Sequence, residues 1–299
     1  MDLKLNIVLN IKIYFAKFSI IILIIIKYFQ IMPEGPEVKI ASNYFNSFFK
    51  NSKTVKFNLI TDYYKTKYKS VFKTVNSNIQ YYPKTYTIGK NIFIDLNNKL
   101  VFNFHLGMTG GWTERKIKHC HFMISDKKKS LFFIDVRKFG NMRIYKQDEI
   151  QQLYNENFDL LNTNYNFQKH IKFLEEKVNN EKTICKILMD QKLFPGVGNY
   201  IKSEVLFASK IHPEEKWNNI SNEKRKKLIK TTKKIMHQSL KSGGAELKDF
   251  KNPFHKSKFQ LKVYGQKYTP DKDTIHSILT SDKRKSWICI KSQKLTPDD

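Results

Sequence analysis

Cysteine is scarce in this 299-residue chain, which contains only Cys120, Cys185 and Cys289. Three thiols exclude a small secreted domain held together by several disulfides, and they cannot form an all-cysteine tetrahedral zinc site. Acidic side chains are also few, because 27 Asp and Glu oppose 54 Lys and Arg and leave a formal net charge of +27. An excess of this size favours a polyanionic partner, either a nucleic acid or an anionic membrane surface.

Long apolar runs are lacking as well. Phe18–Ile26 is uncharged but lies between Lys17 and Lys27, and it is shorter than the ~20 residues that a membrane-spanning helix needs. The segment has the basic start and apolar middle of a signal peptide, but no small-residue cleavage site follows it. A third interpretation is that residues 1–31 are an extension absent from the active protein and that translation begins at Met32. Composition leaves all three interpretations open.

The chain is long enough for about two domains, and its 40% hydrophobic and 14% aromatic residues can form real cores. A helix is expected after Pro36 and Glu37, since proline and a carboxylate favour the first helical turn. Short alternating runs then predict strands in a sandwich or barrel: Thr54–Ile60, Ile79–Tyr86, Asn91–Leu96, Leu100–His105, His121–Ser125, Ser130–Asp135 and Asn141–Tyr145. Helical periodicity follows at Asn166–Val178, Glu181–Asp190, Asn199–Lys210 and Ser221–Ser242, and strand patterns return at Phe259–Tyr264 and Ser286–Ile290.

Pro33 and Glu34 form the most informative local feature. If Met32 starts translation and is then removed, Pro33 carries a free secondary amine. An α-amino group has a pKa of ~7.7–8.0, against ~10.4 for lysine, so part of it is unprotonated near neutrality. Such an amine can attack a sugar C1′ and form a Schiff base, while Glu34 can protonate the ring oxygen. On turn statistics alone, the prolines would simply start a helix.

Met32–Val38 resembles the start of the formamidopyrimidine-DNA glycosylase and endonuclease VIII family, which removes oxidised bases from DNA. Further matching strings follow in the family's order as far as Gln293: Gly89–Lys90, His105–Gly110, Asp135–Gly140, Met189–Tyr200, Gly243–Gly244, Phe259–Gln260 and Val263–Gly265. The resemblance implies an α+β fold of two domains, with an N-terminal helix and antiparallel β-sandwich forming a catalytic domain over 32–150. It also implies a helical domain with a helix-two-turns-helix over 151–250, and a lesion loop and zincless β-hairpin finger over 251–299.

The same resemblance assigns roles to single residues. The catalytic set is Pro33, Glu34, Lys90 and Arg284. The DNA-binding set is Asn199, Met108, Arg137 and Phe139, of which the last three would fill the hole left by a flipped nucleotide. Without the resemblance, Lys90 and Arg284 would be taken as solvent-facing, Met108 and Phe139 as core residues, and Asn199 as a helix cap. Glycines within 195–199 also suggest a backbone cradle for a phosphate.

The terminal segment resembles the zinc finger of the endonuclease VIII-like branch, with four altered ligand positions: Thr269, Asp273, Cys289 and Ser292. Only Cys289 is a good zinc ligand. We therefore predict no structural zinc and no cofactor, with Tyr264, Tyr268 and Trp287 packing the finger instead. A metal at His119–His121 is disfavoured, because a strand would point its cysteine away from the two histidines.

These features predict an intracellular, monomeric, bifunctional DNA glycosylase and AP lyase that acts by β,δ-elimination. The finger favours oxidised pyrimidines, including those in single-stranded or open DNA, over other lesions. The competing hypothesis is a non-catalytic DNA-binding protein whose Pro33 is blocked by the extension. A third hypothesis is a membrane tether at Leu5–Phe29, but most of the positive charge lies outside the extension and favours DNA over a membrane.

Overall fold

A computed structural model describes residues 32–245 and 257–297. The proposed extension, and with it the signal and membrane interpretations, lies outside the described residues, as does the centre of the expected lesion loop. No helix in the described ranges combines the length and apolarity needed to cross a bilayer.

The first domain begins with helix α1 (Gly35–Phe48) and continues into two antiparallel sheets. Pro36 lies in the first turn of α1, and the Glu37 carboxylate accepts a hydrogen bond from the Glu34 N–H at 2.8 Å, which gives the helix a well-defined start. The strands are β1 (Lys56–Leu59), β2 (Thr85–Ile88), β3 (Asn91–Asp95), β4 (Leu100–His105), β5 (Gly110–Thr113), β6 (Cys120–Ser125), β7 (Ser130–Asp135) and β8 (Asn141–Lys146).

One sheet has the strand order β1-β6-β7-β5 and the other has the order β2-β3-β4-β8. Large aromatic side chains fill the space between the sheets, among them Phe57, Phe102 and Phe122, whose rings meet neighbouring rings edge-on. Helix α1 covers this core with Val38 and Phe45. The predicted β-sandwich is therefore confirmed.

Two parts of this domain differ from the prediction. Ile79–Tyr86 is wrong as a single strand: Ile79 forms only an isolated bridge with Leu96, and the ladder starts at Thr85. Before it lies helix α2 (Asp62–Asn78), which is absent from the prediction. Its buried residues recur at helical spacing and are mostly aromatic: Tyr64, Tyr68, Phe72 and Val75. The lysines between these positions obscure the pattern.

The second domain is helical. Helix α3 (Gln147–Leu153) leads into it and still packs Ile150 against the strands of the first domain. The elements of the helical domain are a 3₁₀ turn (Glu156–Phe158), α4 (Phe167–Lys177), α5 (Ile184–Met189), α6 (Asn199–Ser209) and α7 (Asn222–Lys241). The core of this domain includes Ile40 of α1, so the first helix of the two-domain body packs on both domains. The turns between α5 and α6 pass directly beside the start of α1, where the Gly35 N–H donates to the Gly196 carbonyl at 2.8 Å.

The described chain ends in a hairpin of β9 (His276–Leu279) and β10 (Lys285–Ile288). Tyr264 and Trp287 are buried in the helical core with ring centroids 4.2 Å apart, as predicted, whereas Tyr268 is 62% exposed and does not pack there. The predicted strand Phe259–Tyr264 is wrong. Its backbone N–H groups at 262–264 donate instead to the Glu204 carboxylate at 2.9–3.1 Å, so they cannot pair with a strand.

Candidate active site

The site lies where the start of α1 meets the start of α6. Glu34 is 3% exposed and directs its carboxylate to the N-terminus of α6. It accepts hydrogen bonds from the backbone N–H groups of Gly198 at 2.7 Å, Tyr200 at 2.8 Å and Ile201 at 3.3 Å. Of the amides within 195–199 that the sequence suggested as a phosphate cradle, the Gly198 N–H is therefore occupied by the Glu34 carboxylate. An acidic group is the expected occupant, because unpaired N–H groups and the helix dipole both favour negative charge.

The pKa of Glu34 is raised to about 7, mainly by burial; Lys90 and the α6 amides oppose this shift, and the nearby Glu37 carboxylate adds to it. A carboxyl group with a pKa near neutrality can both donate and accept a proton at physiological pH. This is the property that a general acid at this position requires.

Glu37 supports the position of Glu34. Besides accepting from the Glu34 N–H, it accepts from the Tyr200 hydroxyl at 3.0 Å and from the Ala245 N–H at 2.7 Å. Ala245 is the last described residue before the gap at 246–256. Burial raises the pKa of Glu37 as well. The Glu37 side chain thus links α1, α6 and Ala245.

Lys90 is buried beside Glu34, at the turn between β2 and β3. Burial lowers the pKa of Lys90, the negative charge of Glu34 raises it, and the positive charge of Arg284 lowers it again. The turn is held by Asp159, whose Oδ2 accepts from the Gly89 N–H at 2.8 Å. Gly89 has φ +60°, a left-handed conformation that glycine adopts without strain.

Pro33 is buried next to these groups. The chain around it is closely packed, since a Cβ on Gly35 would lie 3.1 Å from the Gly196 Cα. A Cβ on Gly198 would lie 2.3 Å from the Glu34 Cδ. Three of the four predicted catalytic residues, Pro33, Glu34 and Lys90, are therefore brought together, and the charge of Arg284 acts on Lys90.

The three predicted void-filling residues lie on two adjoining loops. Phe139 is 52% exposed, and the Arg137 guanidinium lies over its ring at 4.8 Å. Met108 is half-buried on the other loop. The loops are tied together by Thr109, whose Oγ1 accepts from the Arg137 N–H at 3.0 Å and donates to the Asp135 carboxylate. An exposed aromatic ring beside a guanidinium is suited to stacking on a base.

Asn199, at the start of α6, contacts the part of the terminal hairpin that follows Arg284. The Asn199 Nδ2 donates to the Lys285 carbonyl at 2.9 Å, while its Oδ1 is buried without a hydrogen-bond partner among the described residues. Arg284 is exposed at the start of β10. The alternative that Asn199 caps α6 is wrong, because the N-cap residue is Gly198 and Asn199 is the first helical residue.

The four altered ligand positions include three that are engaged in ordinary hydrogen bonds through their side chains. The Thr269 Oγ1 accepts from the Asp273 N–H, the Asp273 carboxylate pairs with the Lys291 Nζ at 2.9 Å, and the Ser292 Oγ donates to the Cys289 carbonyl. With one thiol and one carboxylate, this donor set falls short of the four ligands of a structural zinc site.

The described ranges contain no group of three or more potential metal ligands. Near His119–His121, both ring nitrogens of His121 are already hydrogen-bonded, to Thr61 and to the Asp135 carbonyl.

The β-sandwich and the helical domain meet around the buried Glu34–Lys90 pair. Two family models match the chain: the formamidopyrimidine-DNA glycosylase N-terminal domain over residues 32–142 and the corresponding H2TH domain over residues 158–251. A formamidopyrimidine-DNA glycosylase of Rickettsia bellii is 31% identical over 248 residues, which are 79% of this chain and 89% of that protein. The chain therefore belongs to the formamidopyrimidine-DNA glycosylase family.

Solved structures agree with this fold. The MutM (Fpg) protein of Thermus thermophilus aligns with a TM-score of 0.73 and 20% identity, over 89% of this chain and all of that one. Lactococcus lactis Fpg in complex with DNA containing an oxidised pyrimidine aligns with a TM-score of 0.72 and 22% identity, over 88% of this chain and all of that one. The predicted two-domain fold is confirmed, whereas membership of the endonuclease VIII-like branch stays a prediction.

Several residues at the site were not singled out from the sequence. Glu37 lies inside the opening motif, and its spacing of three from Glu34 could have indicated a capping role. Asp159 had no local signal, because its partner Gly89 is 70 residues away. Gly198 was noticed as a flexible position, but its close approach to Glu34 depends on a contact across 164 residues.

Proposed function

We propose that this protein is a bifunctional DNA glycosylase and AP lyase that uses the Pro33 amine as its nucleophile. The observation that carries the proposal is the buried Glu34 carboxyl, which follows Pro33 directly, lies beside Lys90 and has a pKa raised to about 7. A nucleophile with an adjacent acid of near-neutral pKa is the arrangement that Schiff-base glycosylases need.

The reaction follows from these groups. The unprotonated Pro33 nitrogen forms a bond to C1′ as the glycosidic C1′–N bond breaks, and the departing base takes up the proton that the nitrogen loses. Glu34 then protonates the ring oxygen O4′, the C1′–O4′ bond breaks, and the nitrogen lone pair completes the C1′=N iminium ion. Loss of a proton from C2′ of the resulting iminium ion then breaks the C3′–O bond in β-elimination. A second proton loss breaks the C5′–O bond in δ-elimination. Lys90, Asn199 and Arg284 hold the flanking phosphates.

The amine is available only when Pro33 is the first residue. Within a longer chain its nitrogen belongs to a tertiary amide and cannot form an imine. The match of the family's N-terminal domain from residue 32 onward supports Met32 as the functional start. Removal of Met32 after translation from that start would give an intracellular form that lacks residues 1–32.

The preferred substrates in this proposal are oxidised pyrimidines, in duplex DNA and in single-stranded or open DNA, bound by a monomer. The hairpin functions without zinc, since its donor set offers one thiol. The lesion class is proposed from the resemblance of the terminal hairpin to the finger of the endonuclease VIII-like branch.

Borohydride trapping on an oligonucleotide with an oxidised pyrimidine tests the chemistry. Protein begun at Met32 should form a covalent adduct and should cut abasic DNA. A formamidopyrimidine oligonucleotide of the same sequence reports the lesion preference. Absence of any adduct, with abasic DNA also left intact, would contradict the catalytic proposal.

A second candidate function is a non-catalytic DNA-binding protein, favoured by the presence of residues before Pro33 in the chain. Sequencing of the N-terminus of native protein separates the two functions. Pro33 at the N-terminus supports the enzyme, whereas Met1 at the N-terminus supports the binding protein.

A further inference from the structure

A buried ion pair joins α6 to the terminal hairpin. The Lys202 Nζ lies 2.6 Å from the Asp282 Oδ2, and the two side chains are 0% and 5% exposed. Asp282 lies in the turn between β9 and β10. The Lys291–Asp273 pair of the same terminal segment is 77% and 30% exposed, and such surface pairs contribute little to stability.

The second oxygen of Asp282 holds the turn around Arg284. The Asp282 Oδ1 accepts from the Thr280 hydroxyl at 2.6 Å and from the Arg284 N–H at 3.2 Å. One carboxylate therefore connects the Lys202 ammonium directly to the backbone of the residue proposed to bind phosphate.

The same face of α6 contacts the turn a second time. Asn199 lies three residues before Lys202, which places the two side chains on one side of the helix, and it donates to the Lys285 carbonyl. Arg284 is thus held between two contacts from α6. Ser281 adds an anchor in the helical domain, because its N–H donates to the Glu214 carboxylate at 2.6 Å.

Because the ion pair is buried, Lys202 depends strongly on the presence of Asp282. Removal from water lowers the pKa of Lys202, and the Asp282 carboxylate opposes that effect. A buried charge without its counterion is costly, so the lysine is accommodated only while the turn is docked. In some proteins, buried ion pairs favour one arrangement over its alternatives more than they add stability.

We propose that Lys202 and Asp282 are positioning residues that lock the terminal hairpin onto α6 and hold Arg284 at the active site. They would fasten a hairpin that has too few ligands for structural zinc. The inference rests on the proposed function where it concerns Arg284, whereas the docking of the hairpin does not depend on it.

Hydrogen exchange of the DNA-free protein tests the docking. In Lys202→Met, backbone amides of β9 and β10 should exchange at least 10-fold faster than in the wild type, while amides of β3 and β4 stay unchanged. Lys291→Met is the matched control, because it removes an exposed pair from the same segment and should change nothing. Equal exchange in Lys202→Met and the wild type would overturn the proposal. If Lys202→Met does not fold, Asp282→Asn tests the same docking by removing the other charge of the pair while keeping the shape of the side chain.

A double-mutant cycle tests the positioning. Arg284→Ala should weaken binding to abasic-site DNA by 10-fold or more in the wild type, but by less than 3-fold in the Lys202→Met background. Arg137→Ala, on the void-filling loop, should cost the same in both backgrounds. Equal losses for Arg284→Ala in both backgrounds would overturn the positioning role. No loss in the wild type would show instead that the proposed role of Arg284 is wrong, while the exchange result would still decide the docking.

Discussion

Replacement of Gly198 by alanine should impair catalysis strongly while the protein still folds. The new Cβ would lie 2.3 Å from the Glu34 Cδ and 2.5 Å from its Oε1, distances too short for atoms that are not bonded to each other. Gly198 has an extended backbone with φ −134°, so alanine itself is not strained there. The group that must move is the carboxylate.

The magnitude follows from the contacts that the carboxylate loses. It accepts from three amides at the start of α6, and hydrogen bonds to charged groups contribute about 1.5–3 kcal/mol each. Because a displaced carboxylate regains water and the α6 amides can bind water, we expect a net loss of about 1–3 kcal/mol in unfolding free energy, as for other overpacked sites. General acid catalysis typically contributes about 10²–10⁴-fold, so base excision should fall by about that factor.

Thermal denaturation and single-turnover base excision are the two assays, with both variants begun at Met32. Gly111→Ala is the matched control, since a Cβ at Gly111 would meet nothing within 4 Å. It should leave both melting temperature and excision rate unchanged. A Gly198→Ala variant that folds and excises at the wild-type rate would refute the assignment of Glu34 as the acid.

Three further predictions concern single side chains. Glu34→Gln should abolish excision, and it should also remove a pH dependence of stability. Because the folded-state pKa of Glu34 is raised from 4.5 to about 7, the unfolding free energy of the wild type should fall by up to about 3 kcal/mol relative to the variant as pH rises through that window. Urea denaturation at several pH values measures this difference. Phe139→Ala should leave the melting temperature unchanged, because the ring is half exposed, and should slow excision about 10-fold in duplex DNA but not in single strands. Asp159→Asn should cost about 1–3 kcal/mol in unfolding free energy and slow excision by releasing the Gly89–Lys90 turn. An unchanged excision rate would show that Asp159 does not position Lys90.

The strands of the sandwich could be predicted from the sequence because their short apolar runs are local. Ile92, Ile94, Phe102 and Phe104 pack in the core between the sheets, whereas Phe93 and Val101, on the opposite face of the same strands, pack in a separate cluster. Helix α2 was missed because most of its buried positions are tyrosines and a phenylalanine spaced among lysines. Hydroxyl groups that reach partners in the fold, such as the Tyr64 hydroxyl to Asp135, leave no trace in the local pattern.

The residues of the candidate site also differ in how far they could be predicted from local sequence. Roles for Pro33 and Glu34 could be proposed from the sequence because the two residues are adjacent and lie in a motif that resembles the start of the family. The partners of Glu34 were not predictable, since the α6 amides lie more than 160 residues along the chain. Lys202 and Asp282 are two ordinary charged residues in a basic sequence, and only burial distinguishes their pairing.

The central claim is that the Pro33 nitrogen bonds to the sugar, and peptide mapping of the borohydride-trapped complex tests it most directly. Protein begun at Met32, trapped on an oxidised-pyrimidine oligonucleotide and digested, should carry the reduced sugar on the peptide that begins with Pro33. A sugar found on Lys90 or another lysine, or an adduct formed equally well when Pro33 is preceded by residues 1–32, would contradict the account.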